Sequence, residues 1–155
     1  MSSNPPRSGL LAAATAAVAF TVALVAYGLL PELEGPPVAW GDLTADVGPL
    51  TITRETKRAF REPRPFSEYV TAAGGRPPSV DFERQQLLLV SPGPRSSTGH
   101  SMEVLDARER DGAVTVTVRE RTPELGERVE PRVTFPYLLL SLPAGTDVYV
   151  DWLGR

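Results

Sequence analysis

Hydrophobic and polar positions divide this chain into three regimes. From Leu10 to Leu30 the residues are Ala, Val, Leu and a few neutral companions, with no charge. As a helix at ~1.5 Å per residue, that stretch spans about 31 Å, close to the roughly 30 Å of a bilayer's hydrocarbon. A soluble core helix would show a polar stripe, and Thr15 and Thr21 do not make one. The pattern predicts a transmembrane helix over residues 10–30. Residues 31–37, rich in Pro, Gly and Glu, follow as an extended linker, and residues 38–155 as a folded domain.

Beyond the linker the pattern shifts to short β-like units. Leu50-Thr51-Ile52-Thr53 alternates with period two and predicts a short strand. Arg54 to Arg64 is charged and mixed in sign, a solvated strand or loop with Phe60 turned inward. Ser67 is the expected cap of one short helix whose apolar face is Tyr69, Val70 and Ala73, stopped at Gly74-Gly75. Leu87 to Val90 is uninterrupted, the mark of a strand buried on both faces, from which the downstream strands are expected to pair outward. Val114, Val116 and Val118 alternate with polar residues as a half-buried strand does, and Asp111-Gly112 before them signals a type I′ hairpin after the Met102–Val104 strand. Val133 to Leu142 reads as a second largely buried strand, bent or started at Pro136, and Val148, Val150 and Trp152 mark the last. The sum is an α+β domain: five or six strands in a mostly antiparallel sheet carrying one helix. Trp40 is expected in the core rather than at a membrane interface, and Phe135, Tyr137, Tyr149 and Trp152 as an aromatic core cluster.

Composition changes this picture in three respects. Sixteen prolines and thirteen glycines favour short strands over long helices. Cysteine is absent, which removes disulfides, thiol nucleophiles and cysteine–zinc sites. Arg7 is the one charged residue before Glu32, so nearly all of the 16 basic and all 19 acidic residues lie in the later part. An acidic balance without a basic stripe excludes a nucleic-acid binder. Arg7 before the apolar run and Glu32 and Glu34 after it place residues 1–9 in the cytoplasm and the domain outside. A cleaved signal peptide is the competing reading, and it exports the same domain as a secreted protein.

Candidate chemistry is sparse. His100 is the sole histidine, beside Ser101 and near Ser96 and Ser97, but no Gly-x-Ser-x-Gly elbow accompanies it. Asp81 and Glu83 would share one face of a strand, as paired carboxylates require, yet convergent metal ligands are missing; Asp81 is expected to bond nearby backbone amides instead. The loop of residues 92–101 offers Arg95, Ser96, Ser97, Thr98 and His100 as binding residues, without the Gly-Lys-Ser/Thr ending of a phosphate loop. No catalytic residue, cofactor or metal is assigned.

The order of these marks resembles the C-terminal domain family of the protease complex subunit PrcB. The residues that carry it are Val80-Asp81-Phe82, Leu87 to Val90, Gly93-Pro94-Arg95 with Thr98-Gly99, Asp111-Gly112, Pro123-Glu124-Leu125-Gly126 and Phe135-Pro136-Tyr137. The resemblance runs over roughly residues 80–151, and the chain departs from the pattern at His100-Ser101, where the family tends to a second glycine and an aromatic. It implies a non-catalytic, membrane-anchored protein-interaction domain in the envelope that helps a surface protease assemble or persist. An exported small-ligand or glycan-binding domain using the 92–101 loop is the alternative.

Overall fold

The computed structural model describes residues 35–154. The expected membrane helix, residues 10–30, lies outside them; among the described residues no helix is long and apolar enough to cross a membrane. Pro37 forms an isolated antiparallel bridge with Arg108, and the Val38 N–H donates to the Ala107 carbonyl.

The described residues form seven strands and two helices: β1 (Gly41–Asp42), α1 (Thr44–Val47), β2 (Thr56–Phe60), α2 (Pro63–Ala72), β3 (Gln85–Ser91), β4 (Ser101–Arg110), β5 (Ala113–Arg121), β6 (Leu138–Pro143) and β7 (Asp147–Leu153). They form two sheets where one was expected, ordered β1-β6-β3-β2 and β4-β5-β7. Every pairing is antiparallel except β5 with β7, which run parallel because β6 crosses into the other sheet between them. Of the downstream strands, only β6 therefore pairs with β3.

The doubly buried β3 explains this layering. Leu88 and Val90 point into a core shared with Leu138, Leu140 and Leu142 of β6, Val114, Val116 and Val118 of β5, and Trp152 of β7. Leu87 and Leu89 point the other way, with Leu139, into a core closed by Val47, Leu50, Ile52, Phe66 and Val70. The domain is three layers thick, with α2 and the 47–52 segment on one side of the central sheet and β4-β5-β7 on the other. Successive side chains of a strand alternate faces, so a continuous apolar run is what the middle layer requires.

Several local expectations are corrected. Leu50 and Ile52 are buried and Thr51 and Thr53 exposed, as alternation requires, but the segment joins no ladder; the Thr51 N–H donates to the Ala73 carbonyl after α2. Helix α2 begins at Pro63 with Glu62 as cap, and Ser67 lies inside it. Pro63 and Pro65 fall in its first turn, where the first N–H groups of a helix have no intrahelical acceptor and proline loses nothing. The stop is as read, with Gly74 and Gly75 donating to Thr71 and Val70. The second buried strand, β6, begins at Leu138 rather than at Val133, which is exposed.

Trp40 is 43% exposed and belongs to neither core. The expected aromatic cluster is dispersed: Trp152 lies between the sheets, Tyr137 packs on the helix side, and Tyr149 is 61% exposed. Phe60, Phe66, Tyr69 and Phe82 form one instead, with centroids 5.5–6.0 Å apart. Asp111 and Gly112 join β4 to β5 with φ of 53° and 78°, as a type I′ turn demands.

Candidate functional site: the Arg95–Glu120–His100 corner

The 92–100 loop leaves the buried end of β3. The Ser91 hydroxyl donates to the Pro136 carbonyl at 2.8 Å and accepts the Gly93 N–H at 3.1 Å, so the chain turns at once toward the 123–136 connection. Gly93 and Gly99, both at positive φ, pass close to neighbouring chain. A Cβ at Gly93 would lie 3.0 Å from the Arg54 carbonyl carbon, and one at Gly99 2.9 Å from Pro123 Cγ. Close approach on two sides requires glycine at these points.

The loop is then laced to residues 130–134. Arg95 and Thr134 exchange backbone hydrogen bonds of 2.8 and 2.9 Å. The Thr134 hydroxyl donates to the Ser97 carbonyl, and Thr98 exchanges bonds with Glu130 through its N–H and its hydroxyl oxygen. Ser96 is exposed.

At the centre sits Glu120 of β5, which the sequence reading did not single out. The Arg95 guanidinium grips its carboxylate with both arms, Nε to Oε1 at 2.5 Å and Nη2 to Oε2 at 2.6 Å. Arg95 Nη1 donates to the carbonyls of Pro92 and Pro94, and His100 Nδ1 lies 3.3 Å from Glu120 Oε1. All three side chains are largely buried. Hydrogen bonding from Arg95 holds the Glu120 carboxyl below its ordinary range, against a desolvation that pushes the other way, and His100 adds to the lowering. The same pair raises the Arg95 guanidinium.

Of the five expected binding residues, the fold thus brings Arg95 and His100 onto one carboxylate, ties Ser97 and Thr98 to the 130–134 segment, and leaves Ser96 at the surface. Glu120 was legible in principle. It continues the parity of Val114, Val116 and Val118, and an acid on the core face of a strand calls for a buried cation. Bidentate pairing commits the Arg95 fork to an internal acid and ties the loop to β5.

Asp81 and Glu83 are not on a strand. They lie in the turn before β3, where Asp81 Oδ1 accepts the Glu83 N–H, the backbone-bonding role expected of it. Among the described residues no group of three or more His, Asp or Glu converges as metal ligands would.

Residues 87–143 match the family described as PrcB C-terminal, the family the sequence resembles. That span runs from β3 through the laced loop and the β4–β5 hairpin to the end of β6. No curated protein and no solved structure matches the chain significantly.

Proposed function

From a chain whose residues 87–143 are PrcB C-terminal in character, we propose a single-pass, membrane-anchored protein whose extracytoplasmic domain binds and stabilises an envelope protease without doing chemistry of its own. The observation that carries this reading is the coincidence of the family match with the strand–loop–hairpin–strand unit that builds the Arg95–Glu120–His100 corner. The family points to a protease complex, and the corner supplies a rigid scaffold whose charged groups are turned on one another. Preorganised surfaces of this kind lose little entropy on docking.

The anchor rests on the uncharged stretch from Leu10 to Leu30, with Arg7 on its cytoplasmic side. The reading is tested by crosslinking in intact cells, solubilising membranes in detergent and recovering the full chain. A peptidase is expected in the crosslinked fraction at near-stoichiometric yield. Recovery of the chain alone, or with proteins unrelated to proteolysis, would overturn it.

A further inference from the structure

Strand β2 ends the four-stranded sheet: β3 lies on one side, and among the described residues no strand lies on the other. Every second residue of such a strand turns its N–H and C=O outward, a ready template for another extended chain. Lys57, Arg58 and Ala59 are exposed along it, and a groove of about 420 Å³ runs past Arg58, Ala59, Phe60, Arg61, Glu62 and Pro65.

Charge decides what fits there. Residues 54–64 hold Arg54, Lys57, Arg58, Arg61 and Arg64 against Glu55 and Glu62, in a chain whose net charge is −3. Arg61 is tied to Asp147 at 2.7 Å and to the buried Gln86, and Arg64 to Glu68, so these two brace the fold. Lys57 and Arg58 sit differently. Lys57 Nζ lies over the Trp152 ring on the inter-sheet side, and its nearest carboxylate, Glu55, is 3.9 Å away. Arg58 lies over Phe60 and Tyr69 on the helix side and has no carboxylate partner among the described residues. Two cations thus flank the open edge, one on each face. A second copy pairing there in antiparallel fashion would bring these cations against their own kind, which is destabilising.

We propose that the open edge of β2 takes an extended acidic segment of a partner protein as a fifth strand, with two adjacent carboxylates answering Lys57 and Arg58. Adjacent positions are required because neighbouring residues of a strand face opposite sides. Main-chain bonds supply affinity and the carboxylates supply selection, as in other strand additions. The proposal deepens the protein-interaction reading and rests on it.

The test uses the full chain in detergent micelles and three capped synthetic peptides: Thr-Val-Asp-Glu-Val-Thr, the same sequence N-methylated at alternate residues, and Thr-Val-Lys-Lys-Val-Thr. The acidic peptide is expected to bind and to slow amide exchange across residues 56–60, with at least tenfold weaker binding for the other two. The double variant Lys57→Glu, Arg58→Glu, checked for unaltered thermal unfolding, is expected to reverse the preference toward the lysine peptide. Equal binding of the N-methylated peptide, protection confined to other strands, or no binding at all would each overturn the proposal. A protease still crosslinked to the double variant at wild-type yield would overturn this edge as its docking site and leave the wider reading standing. Loss of crosslinking in the wild-type chain would instead sink the wider reading.

Discussion

Glu120 shows how one side chain fixes a surface. Its carboxylate lies within the domain's rim, gripped by Arg95 and flanked by His100, and the cost of drying it is met by charge-assisted bonds. Replacing it as Glu120→Gln removes the charge and weakens the fork. The expected loss is about 1.5–3 kcal/mol, the range for hydrogen bonds to charged groups, measured by urea unfolding near neutral pH. The pH dependence has a definite sign. The folded-state value of Glu120 is lowered, so its contribution is fully present above the unfolded value of roughly 4.3 and disappears as pH falls through the folded value. The stability gap between wild type and Glu120→Gln should therefore close below about pH 4. A gap that persists unchanged at pH 2 would contradict the ion-pair account.

At the scale of elements, β3 is the test of the layering. Leu88 and Leu89 face opposite cores, so Leu88→Ala and Leu89→Ala should each cost about 2–5 kcal/mol, read by urea unfolding. A strand with one solvated face would show the loss at one parity alone. Elements whose cause is local were legible in the sequence. Period-two alternation found β5, the unbroken run found β3, and Asp-Gly found the hairpin, because each is a local consequence of backbone geometry. The division into two sheets was not legible, since which strands pair is decided by contacts far apart in the chain. For the same reason Leu50 to Thr53 showed the correct buried parity without revealing that no strand lies beside it. The start of α2 was hidden by prolines that are harmless in a first turn. In the 92–100 loop the sequence displayed five polar candidates but not their partners: Glu120 comes from a strand and Glu130 and Thr134 from a later connection.

For the whole molecule, the proposed arrangement is a tether in the membrane and a scaffold domain outside it. Fractionation gives the first check: the full chain should resist carbonate extraction, require detergent, and be cleaved by protease added outside the membrane. Unprocessed full-length chain in the soluble cytoplasmic fraction would refute the anchor. The most direct measurement of the central claim is the half-life and activity of the crosslinked envelope protease in cells with and without this chain. The account predicts that both fall when the chain is removed and recover when the full-length chain is restored. A protease whose lifetime and activity are the same in both strains would contradict it.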